Sequence, residues 1–433
     1  MRGKMKWRLM GLFLGAILLS GCSRETINYQ IAESIGTVGV YENNEPVESP
    51  QMKQQRLQKE SEEAAEELFA QQMEKAEKLA ASYRYDEAVE YLKSLEADEL
   101  TAERIAEAIT TYENADSSFM LYEGSIAHLC FPTLIEDALR AFDGDERSYT
   151  YASGMITIKE FKAILNSLYE NNYILVDIHD IAEINTDERG VTLMDQKELR
   201  LPEGKKPVII SQDNVNYSDV KNGDGIATKL VVEDGVVKAV YTDDEGHDLK
   251  GEYDLVPVLD AFVEEHPDFS FRGAKGIVSV SGVNGVFGYT VQGFGSGSEE
   301  QNAVTAIADA MKENGWRIAC AGYKHAYMND MTLSQLQADI EQWKDEVGSL
   351  TGETDILFYP YGAEVAYPSD KLTYLKEQGF AYLCGLWGEQ DYLELGDTYL
   401  RQTRRFIDGY TLENASDSFT AFFRISDILD SDR

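Results

Sequence analysis

From about residue 118 onward, short apolar runs alternate with segments whose apolar residues recur at helical spacing. This alternation is typical of a parallel or mixed sheet covered by helices, and it predicts an α/β fold. Seven strands separated by helices favour a (β/α) barrel, complete or incomplete, and an open doubly wound sheet is the alternative. The predicted strands are residues 125–131, 174–178, 208–211, 275–280, 317–320, 356–359 and 381–386.

Polar residues predict where several of the intervening helices begin. Thr157, Thr332 and Ser369 each precede an apolar stripe of helical period, and their side chains are suited to cap a first turn. The connection between the third and fourth predicted strands is long, so we expect an insertion at about residues 216–272. Apolar residues flank the turn sequence at 233–235, which predicts a hairpin inside this insertion.

The region before the sheet has a different pattern. Residues 51–117 are rich in Ala, Glu, Lys, Gln and Leu, a composition that favours helices. The apolar face changes at a short joint, Arg84-Tyr85, and the surrounding segment resembles one tetratricopeptide-like helical hairpin. A single hairpin leaves an apolar face uncovered, so we expect a helical stalk packed on the main domain. The polar, aperiodic residues 23–50 predict a flexible spacer.

The first 22 residues have the order of a lipoprotein signal peptide. Four basic residues precede an apolar run at 9–19, and the small residues Ser20 and Gly21 come directly before Cys22. The apolar run is about half of the ~20 residues that a membrane-spanning helix needs. We therefore expect cleavage before Cys22, diacylation of its sulfur and extracytoplasmic anchoring to the cell membrane. An ordinary cleaved signal with an incidental cysteine is the alternative.

The composition is strongly acidic. The chain has 77 Asp and Glu against 39 Lys and Arg, a formal net charge of −38. Without the first 22 residues, 35 basic residues remain against 77 acidic ones, which leaves about −42. Such a surface repels nucleic acid, so we expect no nucleic-acid partner. The odd number of remaining cysteines, Cys130, Cys320 and Cys384, argues against a disulfide framework, and we expect buried thiols, with a Cys320–Cys384 pair as the alternative.

The order of four segments resembles the NodB-homology polysaccharide deacetylases. Residues 157–176 resemble the helix and second strand that open that fold, and residues 208–215 stand where the family has a strand ending in paired aspartates. Residues 315–325 stand where it has a strand and a His-x-x-x-His element, and Phe-Tyr-Pro-Tyr-Gly at 358–362 matches its third motif. The resemblance covers roughly residues 118–415 and implies an enzyme that removes acetyl groups from cell-wall sugars.

This resemblance assigns roles to individual residues. The family uses a divalent metal such as zinc, held by one carboxylate and two imidazoles, with a second carboxylate as general base. One alignment makes Asp213 the base and places Asn214 at the position of the metal-binding carboxylate. The other makes Asp213 the metal ligand and puts Gln212 at the position of the base. His325 keeps the second metal-binding histidine, and the backbone N–H of Tyr361 is the oxyanion donor.

Other family positions are substituted. Ala321 stands at the first metal-binding histidine, Phe358 stands at the arginine expected to orient the base, and no histidine follows His325. An amide oxygen and one imidazole form a poor set of zinc ligands. We therefore expect no metal cofactor, and zinc only if the protein is an active deacetylase.

The favoured hypothesis is a membrane-anchored surface lipoprotein whose deacetylase-like domain, residues 118–433, acts on or binds cell-wall glycan. Its metal-dependent deacetylation is expected to be lost or weakened. Aromatic residues near strand ends are the candidates for stacking on sugar rings, namely Tyr217, Tyr323, Tyr359, Tyr361 and Trp387.

Two other hypotheses stay open. The first is an active deacetylase, a carbon–nitrogen hydrolase, with rearranged ligands such as Asp213, His325 and Glu364. The second is a non-catalytic envelope assembly protein that recruits a protein partner through the helices at 51–115.

Overall fold

A computed structural model describes residues 41–42, 45–46, 49–96, 98–217, 223–291, 297–387, 390–414 and 416–433. Cys22, the signal segment 1–22 and most of the proposed spacer lie outside these residues. The described strands are β1 Tyr41–Glu42, β2 Glu45–Pro46, β3 Met120–Leu121, β4 Ala127–Phe131, β5 Tyr173–Leu175, β6 Ala182–Thr186, β7 Thr192–Gln196, β8 Arg200–Leu201, β9 Lys206–Gln212, β10 Lys229–Glu233, β11 Val236–Thr242, β12 Asp248–Gly251, β13 Ile277–Val280, β14 Arg317–Cys320, β15 Ile356–Phe358, β16 Tyr382–Gly385, β17 Leu393–Leu395, β18 Leu400–Thr403 and β19 Arg405–Phe406.

The α-helices complete the described secondary structure together with short single-turn helices. They are α1 Pro50–Ala81, α2 Tyr85–Ser94, α3 Glu99–Glu113, α4 Ala138–Ala141, α5 Ser148–Gly154, α6 Ile158–Glu170, α7 Leu255–Glu265, α8 Glu299–Glu313, α9 Leu333–Trp343, α10 Ser349–Thr351, α11 Asp370–Glu377, α12 Gly409–Asn414 and α13 Ile425–Ile428. Among the residues described, no helix combines the length and the apolar character that crossing a bilayer requires.

The chain divides into two compact units, Met1–Gln72 and Met73–Arg433. In the first unit, the early turns of α1 are exposed and carry a charge pair one helical turn apart, Arg56 with Glu60 at 2.8 Å. In the second unit, α2 begins at Tyr85, so the predicted joint between helices is confirmed. The predicted helical region also contains α3, a third helix that packs along α2 through the stacked rings of Tyr85 and Tyr112.

A ten-stranded sheet organises the second unit. Its order is β17-β18-β16-β15-β14-β13-β9-β4-β19, and β5 also pairs with β9. All neighbouring pairs are parallel except β17 with β18. The sheet is curled and covered by helices, which confirms the prediction of a mixed α/β fold. All seven strands expected from the sequence are present, and Thr157, Thr332 and Ser369 cap α6, α9 and α11 as predicted.

The curled sheet has two buried faces. The larger core lies between the strands and the helices and contains Val208 and Ile210 of β9 together with Phe161 of α6. The smaller core lies on the inner face and contains Ile209 of β9 and Phe358 of β15. Because side chains alternate between faces along a strand, successive residues of β9 point into different cores. Within the described part of the chain, the three cysteines are buried and unpaired.

The segment Leu400–Phe406 contacts both ends of the curled sheet. Its first part, β18, pairs with β16, while β19 pairs with β4. Only Arg404 lies between these two strands, and its backbone N–H donates to the carbonyl of Gly385 at 2.9 Å. The sequence pattern did not predict this segment.

The insertion contains the predicted hairpin, formed by β10 and β11 around a turn at Asp234 and Gly235. A third strand, β12, extends it to a three-stranded antiparallel sheet. Leu255–Glu265, the helix α7, then returns the chain to the main core through Leu255, Val256 and Leu259.

A charged cluster joins the end of β5 to the start of β15. The imidazole of His179 lies 2.8 Å from Asp177 and 3.0 Å from Asp355. Arg317, at the start of β14, also pairs with Asp177 at 2.5 Å. Burial lowers the pKa of His179, but the hydrogen bonds and charges of the two aspartates outweigh it and raise the pKa to about 9. His179 is therefore a cation at neutral pH.

We predict that this cluster makes stability depend on pH. The folded pKa of about 9 lies above the ordinary histidine value of 6.5, so the stabilisation is fully present below pH 6.5 and is lost as the pH rises through 9. His179→Gln should lower the free energy of unfolding by about 1–2 kcal/mol at pH 6, a figure reduced for the partial exposure of the ring, and by much less at pH 9.5. Thermal unfolding at both pH values measures the difference. His247→Gln, on an exposed turn, is the matched control, and an equal loss at both pH values for His179→Gln would contradict the prediction.

Candidate functional site

Several polar residues lie at the carboxyl ends of neighbouring parallel strands. Asp213 follows β9, Ser281 follows β13, and the loop after β14 carries His325. Tyr361 follows β15 in a tight turn. The carboxyl ends of parallel strands meet at the same edge of a sheet, which is where ligand sites of α/β folds are built.

Asp213 faces the interior of the curled sheet. It continues the inner-face alternation of Ile209 and Ser211, and its backbone N–H donates to the carbonyl of Phe131 at 3.0 Å. The guanidinium of Arg404 donates to the Oδ1 atom of its carboxylate. The Arg404 side chain is fully buried, whereas that of Asp213 is 17% exposed, so one side of the carboxylate reaches the cleft.

Gln212 points the other way, toward the helices. Its amide donates to both carboxylate oxygens of Asp254 at 2.9 Å. Asp254 is completely buried and also accepts from the hydroxyl of Tyr217 and from the backbone N–H of Leu134. Burial raises the pKa of Asp254. This network holds the side chain of Gln212 away from the cleft.

The residues around Asn214 do not match the metal ligands that the resemblance implies. The side-chain oxygen of Asn214 accepts from the hydroxyl of Ser281 at 2.7 Å, so this oxygen already has a donor. Ala321, at the position of the first histidine, has no donor atom. No group of three or more His, Cys, Asp and Glu side chains within the described ranges is arranged to hold a metal ion. The donor set present in the cleft therefore does not fit the three-ligand zinc site of the family.

His325 belongs to a small aromatic cluster. Its Nδ1 atom lies 3.3 Å from the hydroxyl of Tyr361, and the two rings meet edge to face with centroids 4.9 Å apart. Tyr327 stacks on the other side of Tyr361 at 4.7 Å. Burial lowers the pKa of His325, although the charge of Asp213 acts in the opposite direction. A neutral imidazole thus lies beside two exposed tyrosine rings, 56% exposed for Tyr361 and 52% for Tyr327.

Asn214, His325 and Tyr361 share an unusual backbone conformation. Their φ angles are 49°, 47° and 57°. Residues with a side chain rarely adopt this left-handed region, and such strain persists only where the surrounding structure imposes it. The surrounding fold, rather than the backbone preference of these three residues, therefore holds them in this conformation.

Three of the predicted stacking residues are not accessible. Tyr217, Tyr323 and Tyr359 are 4%, 3% and 0% exposed. The hydroxyl of Tyr323 donates to Glu346, and that of Tyr359 bonds to Tyr367. These tyrosines belong to the core, so their rings are not available to stack on a sugar. Tyr327 is an accessible ring that was not predicted. It stands two positions after His325 in the same loop, and that proximity was the only sequence signal for it.

Trp387 is partly buried at the rim. Its indole N–H donates to Glu364 at 2.5 Å, and its ring packs against Tyr392 and the guanidinium of Arg401. Glu364 also accepts a pair of hydrogen bonds from Arg401 at 2.6 and 2.9 Å. The carboxylate of Glu364 is thereby committed to Arg401 and Trp387, which counts against it as a replacement metal ligand.

The polar character of the cleft continues into the sheet interior. His128 of β4 lies 3.1 Å from the Oε1 atom of Gln402 and 2.9 Å from the hydroxyl of Ser211. Burial and the nearby charge of Arg404 lower the pKa of His128 well below its usual value, so the ring is neutral. Because Oε1 can only accept, the Nδ1 atom of His128 carries the proton and its Nε2 atom accepts from Ser211.

Comparisons with known proteins point to one family. The family model for polysaccharide deacetylase matches residues 289–383, a stretch that contains His325 and Tyr361 but not Asp213. This match confirms the resemblance seen in the sequence. No curated protein matches the chain.

Three solved structures are similar at low identity. The Streptococcus pyogenes deacetylase PplD in complex with acetate is 11% identical, with 66% of this chain and 93% of that chain covered and a TM-score of 0.37. A putative polysaccharide deacetylase from Mycobacterium smegmatis is 19% identical, with 34% and 43% covered and a TM-score of 0.24. The allantoinase Puue is 16% identical, with 35% and 50% covered and a TM-score of 0.21.

We predict that Tyr217 is structural. Tyr217→Phe removes a buried donor from Asp254 and should lower the free energy of unfolding by about 1–2 kcal/mol. Tyr327→Phe is the matched control, since it removes a hydroxyl from an exposed ring and should change stability by less than about 0.5 kcal/mol. Urea unfolding measures both. Equal effects of the two substitutions would contradict a structural role for Tyr217.

Proposed function

We propose that this chain, whose residues 289–383 are related to polysaccharide deacetylases, binds cell-wall glycan in the cleft at the carboxyl ends of the strands without metal-dependent deacetylation. One observation carries the proposal: the cleft lacks the set of metal ligands that the resemblance implies, and it presents an exposed aromatic surface. Ala321 and Asn214 stand at two of the ligand positions that the resemblance implies, while Tyr327 and Tyr361 present stacked rings and Tyr361 lies beside His325.

The stacked tyrosines suit a carbohydrate ligand. Aromatic rings offer a flat apolar face, and the C–H groups of a pyranose ring pack against such a face while its hydroxyls stay hydrogen-bonded. The free side of the Asp213 carboxylate is an acceptor for hydroxyl or amide N–H groups of the sugar. The neutral ring of His325 adds a polar atom between the carboxylate and the tyrosines.

The geometry also bears on the alternative of an active deacetylase. Asp213 is held as an ion pair, and the turn at Pro360–Gly362 that carries the backbone N–H of Tyr361 is intact. These two features are shared with the catalytic arrangement that the family resemblance implies. The metal positions are not, and for that reason we place binding ahead of catalysis.

A metal and glycan binding experiment tests the proposal. The purified chain from residue 23 should take up no stoichiometric, tightly held zinc in equilibrium dialysis, and it should bind N-acetylated chitooligosaccharide in calorimetry. Tyr327→Ala and Tyr361→Ala should each weaken binding about 3- to 10-fold, because each removes one stacked ring. Tyr112→Ala, which removes a stacked tyrosine from the helical region, is the matched control and should leave the affinity unchanged.

Two results would overturn this proposal. One is a stoichiometric zinc ion that a chelator removes with difficulty. The other is acetate release from the oligosaccharide that disappears with chelator and in His325→Ala, which would establish the active deacetylase instead.

We further propose that the protein is anchored outside the cytoplasm through Cys22, since the residues before it have the order of a lipoprotein signal. Mass spectrometry of the mature protein should find an N-terminal Cys22 that carries a diacylglyceryl group. Cys22→Ala should move the protein out of the detergent-soluble membrane fraction. A mature protein that begins at another residue, or that carries no lipid, contradicts the anchor without affecting the proposal for the cleft.

A further inference from the structure

A fully buried charge near the cleft belongs to Arg404. Its side chain is fully buried, and its Nη1 atom donates to Asp213 and lies 3.3 Å from the sulfur of Cys130. Its Nε atom donates to the carbonyl of Gly385 at 3.3 Å. The Nη2 atom has no hydrogen-bond partner among the side chains and backbone groups that the structure describes. Asp213 is therefore the counter-ion of this guanidinium.

The flat face of the guanidinium rests on Phe358. The distance from its central carbon to the ring centroid is 3.9 Å, and Phe358 is 1% exposed. A guanidinium stacked on an aromatic ring without water between them is a favourable cation–π arrangement. The side chains of residues 358 and 404 thus occupy adjoining volumes inside the sheet, although they come from β15 and from the junction of β18 and β19.

This contact explains how Asp213 keeps a fixed orientation. Burying a guanidinium without a partner is strongly unfavourable, so the pair constrains the carboxylate as well as the arginine. The planar group is itself held by the ring below it and by the carbonyl of Gly385. A carboxylate held at one oxygen in this way presents its other oxygen to the cleft in one direction.

We infer that Arg404 is the positioning residue of Asp213, and that the guanidinium can be provided from position 404 or from position 358 because the two side chains are stacked. The inference rests on the proposed function only in so far as Asp213 contacts the glycan. It predicts that the two side chains can be exchanged. The junction between β18 and β19 would then determine the orientation of the carboxylate of Asp213, which follows β9.

The test is a reciprocal exchange combined with a double-mutant cycle. The variants are Arg404→Phe with Phe358→Arg, the single Arg404→Leu, and each of these with Asp213→Asn. In the wild type, Asp213→Asn should shift the unfolding equilibrium by about tenfold or more through loss of the pair. In Arg404→Leu this shift should disappear, and in the exchanged variant it should return.

Glycan binding is the second readout. Arg404→Leu should weaken binding of the chitooligosaccharide by roughly tenfold, and the exchange should restore most of it. A merely structural arginine would affect stability without such a recovery of affinity. If the wild type binds no glycan, the proposed function fails, while the coupling between Asp213 and Arg404 still tests the positioning role.

Defined outcomes overturn the inference. They are a shift for Asp213→Asn that is the same with and without Arg404, or an exchanged variant that unfolds cooperatively but shows no coupling. Should the exchanged variant not fold, Arg404→Lys takes its place. It keeps the charge and lacks the planar fork, so it should keep part of the coupling and lose most of the affinity. Full retention of affinity in Arg404→Lys would overturn the inference as well.

Discussion

Burial of one guanidinium inside a curled sheet is the constraint on which the rest of this structure depends. A charge in such surroundings needs a counter-ion, and Asp213 is placed to meet that need. The neutral groups nearby are consistent with it, since burial and then the charge of Arg404 lower the pKa of His128 well below its usual value. The thiol of Cys384 is likewise kept protonated, with a pKa raised to about 12 by burial. The inner face of the sheet thus combines apolar residues such as Ile209 and Phe358 with the ion pair of Arg404 and Asp213.

The cleft above this core combines retained and lost features of the deacetylase pattern. The turn at Tyr361 and the carboxylate of Asp213 keep their places, whereas the imidazole pair and the second carboxylate are reduced to His325 and an amide. The proposed glycan binding would rest on shape and on hydrogen bonds between the cleft and the sugar. The left-handed backbone of Asn214, His325 and Tyr361 is a geometry that the surrounding fold imposes at this edge of the sheet.

Much of the scaffold could be predicted from the sequence. The seven main strands are short apolar runs, and Thr157, Thr332 and Ser369 are capping residues next to clear helical stripes, so local pattern and final structure agree there. The segment Leu400–Phe406 was missed because it contains three arginines and only two large apolar residues, a pattern that resembles surface. Leu400, Gln402, Thr403 and Arg404 are nevertheless buried, and the reason becomes clear only when their partner groups are known.

The candidate site was likewise predictable only in part. Family order located Asp213, His325 and Tyr361, but the burial of Tyr217, Tyr323 and Tyr359 depends on distant partners such as Asp254 and Glu346. Sequence proximity to strand ends does not separate a ring that lines a cleft from one that fills a core. The stacking of Tyr327 on Tyr361 joins loops from two strands and has no local signature.

The position of β18 and β19 in the chain has a kinetic consequence. Both strands follow in sequence every other strand of the large sheet, so their pairings with β16 and β4 form only after those strands exist. A chain synthesised from its N-terminus holds an unpaired carboxylate at Asp213, next to a water-accessible sheet interior, until the last segment docks. The ion pair of Asp213 with Arg404 therefore depends on a contact of long sequence separation, which forms slowly compared with local contacts.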